Sequence, residues 1–339
     1  MAPLRAFLLL FCLAILMLSI PAKADPLRVA LLLEHEASST WTSQLLAGLE
    51  HARRDFGITA NVVIEADENK QEAVFRQCAQ QHDLVIVASD RFHEILRDNA
   101  ARFRHVHFGC IDAGIRGSNI TCISYADEQA AFLAGAAAAL FTEKQAPNTP
   151  NGRAIGWLCG EDIPAMRSMF NGFREGAKLA VPEIRVIQGV AGSFAKPEAA
   201  AREARRLINE GVYVLVLASG AGNAGALSEA QKAGIYVIGL DCDIRKDYPQ
   251  HVLLSILKNI EGAIYSIIDD TVHGRFKGKE ITVYDLNYGV DITDPKASLG
   301  VNHSILATIQ RRLGELRHEL KNGGIRLKSL RQRTLCNCL

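Results

Sequence analysis

The sequence predicts an α/β protein with two lobes, each built on a doubly wound parallel sheet. Apolar, strand-like runs alternate with helix-like segments along the chain, as in consecutive βαβ units. The alternation restarts after a turn-rich loop at residues 145–152, which indicates a second unit. A chain of 339 residues is long enough for two such lobes with a cleft between them.

The first lobe is predicted from short apolar runs separated by helical segments. Its strands are expected at residues 27–33, 61–65, 83–88, 105–111 and 120–125. The intervening helices are expected from Thr40 or Thr42 as N-cap, and at residues 71–80 and 92–102. An Ala-rich helix at residues 127–142 follows, and its small side chains predict close packing on neighbouring helices.

The second lobe repeats this pattern. Its strands are expected at residues 153–159, 184–190, 212–219 and 235–240, with a helix at 198–210 between the second and third. Three short strands are predicted to carry the chain between the lobes, at residues 121–125, 252–256 and 281–286. A helix at residues 259–273 would then return to the first lobe.

These assignments divide the chain into four parts. Residues 1–24 form a signal peptide. Residues 25–124 and 256–282 form the N-terminal lobe, and residues 125–255 and 283–325 form the C-terminal lobe. Residues 326–339 form a basic tail that contains a Cys-x-Cys pair.

Four polar residues and one glycine that follow the predicted strands mark the expected binding site. Ligands of open parallel sheets bind beyond the carboxyl ends of the strands. The residues in these positions are Ser89 and Asp112 in the first lobe, and Gly220, Asp241 and Asp243 in the second. Asp243 could instead cap the turn that follows it.

The glycines after the strand at residues 212–219 allow a different interpretation. Gly220-x-Gly222-x-x-Gly225 matches the dinucleotide fingerprint, and Asp241 ends the next strand, where a ribose-binding acid would lie. This pattern is compatible with an NAD-dependent oxidoreductase. It is equally typical of a tight strand-to-helix turn that needs glycine for steric reasons.

The first residues predict export. Arg5 precedes an apolar run at residues 6–20, which is short for a membrane span, and small residues at 22 and 24 form a cleavage site. We therefore expect cleavage after Ala24 and a periplasmic mature protein. Because nicotinamide cofactors are chiefly intracellular, export argues against the oxidoreductase, and we predict no cofactor.

Charge and cysteine content limit the partners and metal sites. A formal net charge of +1 gives no general attraction to nucleic acid. Seven cysteines remain after signal removal, and Cys110 and Cys122 are either a disulfide pair or buried free thiols. No cysteine or histidine spacing matches a structural zinc site, so no metal is predicted.

Several motifs, in order, resemble those of the basic membrane protein family. They are FLAG at residues 132–135, GWLCGEDIP at 156–164, FNGFREGA at 170–177, ASG at 218–220, GLDCD at 239–243 and LSILK at 254–258. Members of this family are solute-binding receptors of ABC transporters, best known for binding purine nucleosides. The resemblance covers about residues 27–325 and implies a type I periplasmic-binding-protein fold, with crossing hinge strands between the lobes.

The resemblance also implies a set of ligand contacts. In the family two aromatic rings sandwich the base, and an Asp and a Lys bind the ribose hydroxyls. The corresponding residues here look like Trp41, Phe194, Asp241 and Lys258. Trp41-Thr42 stands where the family carries Phe-Asn, so the amide that would read a purine edge is lost. A free base, a nucleoside or another heteroaromatic compound would fit.

The functional prediction is a monomeric, non-enzymatic receptor. It would capture a small planar solute, a purine nucleoside or nucleobase, and present it to an inner-membrane ABC permease. A periplasmic sensory protein that signals ligand state to a kinase or chemoreceptor is the alternative. The NAD-dependent oxidoreductase is a further alternative.

Overall fold

The computed structural model describes residues 25–34, 39–146, 153–295 and 303–327. The predicted signal peptide and residues 328–339 of the predicted tail lie outside the described residues. Within the described ranges no helix combines the length and apolar character needed to cross a membrane.

The first lobe is built on a six-stranded sheet whose strands are all parallel. The order across the sheet is β11-β5-β4-β3-β1-β2. These strands span Arg28–Leu33 (β1), Thr59–Ile64 (β2), Leu84–Val87 (β3), His107–Ile111 (β4), Ile120–Tyr125 (β5) and Ile281–Tyr284 (β11). The central strands β1 and β3 are almost entirely buried because helices cover both faces of the sheet.

The second lobe contains a second six-stranded sheet, in the order β12-β10-β9-β8-β6-β7. The strands are Ala154–Cys159 (β6), Arg185–Val190 (β7), Val212–Ala218 (β8), Tyr236–Gly239 (β9), Val252–Lys258 (β10) and Val290–Ile292 (β12). Only β12 runs antiparallel, against the end of β10. Strand β12 was not predicted from sequence, because three residues are too few to show a periodic pattern.

Helices pack on both sheets. They span Thr40–Phe56 (α1), Glu68–Gln81 (α2), Asp90–Asn99 (α3), Asp127–Gln145 (α4), Pro164–Ala180 (α5), Pro197–Asn209 (α6), Asn223–Ala233 (α7), Ile260–Val272 (α8) and His303–Lys321 (α9). The predicted N-cap of α1 was wrong. Ser39 caps this helix, since its side-chain oxygen accepts the Thr42 backbone N–H at 3.2 Å.

Helices α4 and α5 pack with their backbones in close contact, as the Ala-rich sequence predicted. A methyl group added at Gly135 would lie 1.9 Å from the Phe173 carbonyl oxygen, and one at Gly176 would lie 1.9 Å from the Phe132 carbonyl oxygen. The glycines of the FLAG and FNGFREGA motifs therefore have a steric purpose. Each lets one helix approach the backbone of the other.

The chain passes between the two sheets three times. The crossings follow β5, β10 and β11. The three strands that were predicted to cross between the lobes each belong to one sheet, and the chain crosses directly after them. Helix α8 returns to the first lobe and packs on α1, as predicted. Because residues 256–258 pair in the second sheet and residues 283–284 in the first, we propose lobe boundaries at residues 126, 259 and 285–289. These lie slightly further along the chain than the boundaries predicted from sequence.

Candidate functional site

Lys258, the last residue of β10, is the centre of a buried cluster between the two sheets. Its side chain is only 5% exposed. The Nζ atom donates hydrogen bonds to Asp112 Oδ2 at 2.7 Å and to Asp127 Oδ2 at 3.1 Å. The same ammonium lies 4.3 Å from the ring centroid of Tyr125 and 5.0 Å from that of Trp41. Two carboxylates and two aromatic faces therefore surround one cation.

The carboxylates keep this lysine protonated. Burial by itself lowers the pKa of Lys258, because it penalises the charged form. The negative charges of Asp112, Asp127 and Asp241 outweigh the effect of burial, and the net result is a raised pKa. A cation thus persists at the carboxyl ends of the strands, where a ligand could accept hydrogen bonds from it.

Two of the predicted site residues have left-handed backbones. Asp112 follows β4 with a φ of 65°, and Asp241 follows β9 with a φ of 72°. Positive φ is uncommon for residues other than glycine, although Asp tolerates it better than most. Such conformations persist when surrounding contacts impose them, and they concentrate at functional sites. Both sheets thus present a carboxylate from a constrained strand end.

The protein environment raises the pKa of Asp241 to about 6, from an ordinary value of 3.8. Burial is the main cause, and the nearby negative charge of Asp112 adds to it. The charge of Lys258 and a hydrogen bond from Thr40 act in the opposite direction and lower the pKa. The ionised form of Asp241 is therefore less stable in the folded protein than in water.

This pKa shift predicts a pH dependence of stability. Because the folded pKa exceeds the unfolded value of 3.8, ionised Asp241 destabilises the fold above about pH 6, and this penalty disappears as the pH falls toward 3.8. We expect the free energy of unfolding of Asp241→Asn relative to wild type to rise by about 1–2 kcal/mol as the pH increases from 3.8 to 6, a figure reduced for partial solvent screening. Urea denaturation at several pH values measures this difference.

The control for this experiment is Asp247→Asn, which removes an exposed carboxylate six residues along the same loop. Because its side chain is exposed, its free energy of unfolding should stay within about 0.5 kcal/mol of wild type. If the free energy of unfolding varied with pH in the same way for wild type and Asp241→Asn, the raised pKa of Asp241 would be contradicted.

The two predicted stacking rings lie in different parts of the site. Trp41 is in the first turn of α1, in the first lobe, and its ring faces Lys258. Phe194 is in the loop after β7, in the second lobe, and packs against Gly160 and Gly220. A methyl group at Gly160 would lie 2.4 Å from the Phe194 ring, so this glycine makes room for the ring. That the rings sandwich a ligand stays a prediction.

The dinucleotide-like glycines are explained by packing within the protein. Gly220 has a φ of 60°, and a methyl group there would lie 2.9 Å from the Phe194 carbonyl oxygen. A methyl group at Gly225 would lie 2.0 Å from the Pro197 carbonyl oxygen, where α6 approaches α7. The turn needs glycine for these contacts without any bound phosphate, so the pattern does not support NAD binding.

Three other predicted site residues contact neighbours in the protein. Ser89 Oγ donates to Glu34 Oε1 at 3.0 Å. The Thr42 hydroxyl lies 3.0 Å from Ser39 Oγ within the cap of α1, and Thr42 is only 8% exposed.

Asp243 forms an ion pair with Arg245, with an Nη2–Oδ2 distance of 2.6 Å, and accepts the Arg245 backbone N–H at 3.0 Å. Asp243 therefore stabilises the turn that follows it, which is the alternative that the sequence left open.

Cys110 and Cys122 are free buried thiols, not a disulfide. They lie directly opposite each other on the parallel strands β4 and β5. The Cys122 thiol donates instead to the Ile115 carbonyl at 3.2 Å. The two cysteines are thus neighbours, as their places in the sequence suggested. They are buried core residues, which is the second of the two alternatives that the sequence left open.

Three residues of the site were missed from sequence. Asp127 and Tyr125 flank the crossing after β5, and Asp127 had been assigned only as the start of α4. Gln44 lies one turn after Trp41 and lines a groove of about 440 Å³ together with Asp241, Lys258 and the crossing residue Asn287. An acid at the first position of a buried, Ala-rich helix was the available signal for Asp127. In the described part of the chain, no cluster of three or more His, Cys, Asp or Glu side chains could hold a metal ion.

Comparison with known proteins identifies the family. A family model described as "ABC transporter substrate-binding protein PnrA-like" matches residues 30–302. The chain belongs to the Bmp family. Members of this family are extracytoplasmic solute-binding proteins and not enzymes, so the resemblance inferred from the motifs is confirmed.

Individual relatives agree with this assignment. Basic membrane protein C of Borreliella burgdorferi is 29% identical to this Bmp-family chain over 246 residues, which cover 70% of the chain and 67% of the relative. The ABC transporter nucleoside-binding protein BmpA of Lactococcus lactis is 29% identical over 206 residues, or 55% of the chain and 56% of the relative.

Solved structures confirm the fold. An ABC transporter solute-binding protein from Aeropyrum pernix K1 superposes with a TM-score of 0.80 at 20% identity, over 89% of the Bmp-family chain and 93% of the solved one. The predicted type I periplasmic-binding-protein fold, with two parallel-dominated sheets, is thus the observed one.

Proposed function

We propose that this Bmp-family protein captures a purine nucleoside or nucleobase between its lobes and presents it to an inner-membrane ABC permease. The observation that carries the proposal is the cluster around Lys258. It brings together a cation, the carboxylates of Asp112 and Asp241, and the ring of Trp41 at the carboxyl ends of both sheets. The name of the BmpA relative, a nucleoside-binding protein, supports the same ligand class.

The chemistry of the cluster suits a ribose with an aromatic base. Carboxylates accept hydrogen bonds from ribose hydroxyl groups, and the Lys258 ammonium can donate hydrogen bonds to the hydroxyl oxygens. Stacking of a base on an aromatic side chain contributes about 1–3 kcal/mol, and a hydrogen bond to a charged group contributes about 1.5–3 kcal/mol. Two rings and two charges would reach the roughly 8 kcal/mol that corresponds to micromolar affinity.

The cellular setting follows from the family assignment and from the predicted signal peptide. We propose that the mature protein begins at Asp25, acts in the periplasm as a monomer, and needs no cofactor. Its partners would be the solute and the membrane permease. Neither nucleic acid nor a metal has a role in this proposal.

The proposal is tested by calorimetry with inosine, adenosine and hypoxanthine on the purified mature protein. We expect micromolar dissociation constants for at least one of them. The absence of both heat and a melting shift for all three at millimolar concentration would contradict the purine assignment.

A substitution then tests the ribose contact. Asp241→Asn should weaken binding of a nucleoside by about tenfold or more, since one hydrogen bond to a charged group is lost, and should affect a free base much less. The control Asp247→Asn, in the same loop but exposed, should leave both affinities unchanged. Equal losses for nucleoside and free base would show that Asp241 does not contact the sugar.

A further inference from the structure

Gln44 joins the two lobes by a hydrogen bond that involves no predicted ligand-binding side chain. It lies on α1 in the first lobe, one turn after Trp41. Its Nε2 atom donates to the backbone carbonyl oxygen of Asp241, in the second lobe, at 2.7 Å. That carbonyl also accepts the Lys258 backbone N–H at 3.2 Å. The strand end that carries Asp241 is therefore held from both lobes.

Thr40 makes weaker contacts at the same place. Its hydroxyl lies 3.3 Å from the Leu240 carbonyl oxygen and 3.5 Å from Asp241 Oδ2. Both distances are long for hydrogen bonds between oxygen atoms, whereas the Gln44 distance is at the short end of the range for an N–H donor. Gln44 is thus the principal polar link between the start of α1 and the end of β9.

The bond also bears on the conformation of Asp241. This residue has a φ of 72°, which is unfavourable for a residue with a side chain and must be imposed by its surroundings. Fixing its carbonyl fixes the orientation of the peptide that follows, and with it the direction of the carboxylate. Because the donor and the acceptor are on different lobes, the hydrogen bond constrains Asp241 only when the lobes are close enough together for it to form.

We propose that Gln44 is a positioning residue that favours the closed arrangement of the lobes, in which its bond to Asp241 forms, and that it sets the Asp241 carboxylate for binding. The proposal rests on the proposed function for the identity of the ligand, but the bond itself is a property of the chain. When only a fraction of the protein is in the competent state, the apparent dissociation constant rises in proportion to the inverse of that fraction. Gln44 therefore contributes to affinity through its bond to the Asp241 backbone.

Two variants separate the hydrogen bond from simple packing. Gln44→Glu keeps the shape of the side chain but replaces the amide donor with a carboxylate that faces a carbonyl oxygen and Asp241. Gln44→Leu keeps much of the volume and removes the donor without adding charge. The control Gln77→Glu makes the same chemical change on the exposed surface of α2 in the first lobe.

Small-angle X-ray scattering of the ligand-free proteins is the first readout. We expect the radius of gyration to increase in the order wild type, Gln44→Leu, Gln44→Glu, with Gln77→Glu equal to wild type. If Gln44 acted only through packing, Gln44→Glu would resemble wild type and Gln44→Leu would differ more. That result, or an unchanged radius of gyration in both variants, would overturn the proposal.

The second readout is the dissociation rate of inosine, measured by surface plasmon resonance. Loss of one hydrogen bond should increase this rate about two- to tenfold in Gln44→Leu, and more in Gln44→Glu. A rate within experimental error of wild type in both variants would also overturn the proposal. If wild type bound no nucleoside, the proposed function would fail, while the scattering result would still decide the role of Gln44.

Discussion

Replacing Lys258 with methionine is expected to lower the free energy of unfolding by about 3–5 kcal/mol, the usual cost of removing one partner from a buried ion pair. Methionine fills much of the same volume, so the loss is electrostatic. Asp112 and Asp127 would lose the ammonium that lies 2.7 and 3.1 Å from their carboxylate oxygens, with little solvent to replace it. The two rings that face the cation would lose it as well.

Chemical denaturation at pH 7 measures this loss, and a second substitution assigns it. Asp112→Asn in the Lys258→Met background should recover part of the stability, because it removes one of the uncompensated charges. The control Lys246→Met deletes an exposed lysine and should change stability by no more than about 0.5 kcal/mol. Equal effects of Lys258→Met and Lys246→Met would show that the buried cluster does not stabilise the fold.

Adding one methyl group at Gly176 is expected to destabilise the protein by about 3 kcal/mol, at the upper end of the usual cost of overpacking. The new carbon atom would lie 1.9 Å from the Phe132 carbonyl oxygen and 2.7 Å from its carbonyl carbon. These are backbone atoms of a neighbouring helix, so no side-chain rotation can relieve the contact. Helices α4 and α5 would have to separate.

Gly314→Ala provides a matched control for Gly176→Ala. Gly314 also lies inside a helix, α9, but a methyl group there meets no atom within 4 Å. Helix propensity alone should then make Gly314→Ala more stable than wild type by about 0.5–1 kcal/mol. Thermal and urea denaturation of both variants test the contrast. A gain in stability for Gly176→Ala would contradict the close packing of α4 on α5.

The alternation of strands and helices was readable from sequence because parallel strands covered on both faces are continuous apolar runs. Predictions were missing or wrong at short elements and at helix ends. The three residues of β12 carry no period, and the cap of α1 was assigned to Thr40 or Thr42 when Ser39 supplies it. The predicted lobe boundaries stay a prediction, since strand residues that lead into a crossing look like any other strand residues.

The site was only partly predictable for a related reason. Asp112 and Asp241 were predicted because each follows a strand, and parallel topology collects strand ends at one edge of a sheet, whereas Lys258 was predicted from the resemblance to the family. Thr42, predicted from the resemblance, and Asp243, predicted from its place after a strand, have hydrogen bonds in a helix cap and in a turn, and their ligand contacts stay predictions. Gln44 is on a helix, where nothing in the local sequence distinguishes a site residue from a surface residue, and Asp127 had only its place at the start of a buried, Ala-rich helix as a signal.

The sequence by itself therefore determined the fold class and the family. Strand and helix periodicity, glycine positions and ordered motifs are local features that can be read from residues close in the chain. The pairing of Lys258 with Asp112 and Asp127 joins positions 146 and 131 residues apart, and Gln44 meets Asp241 across 197 residues. Such contacts exist only after two sheets have formed and faced each other. The charge, conformation and closure of the site were consequently decided by the tertiary structure.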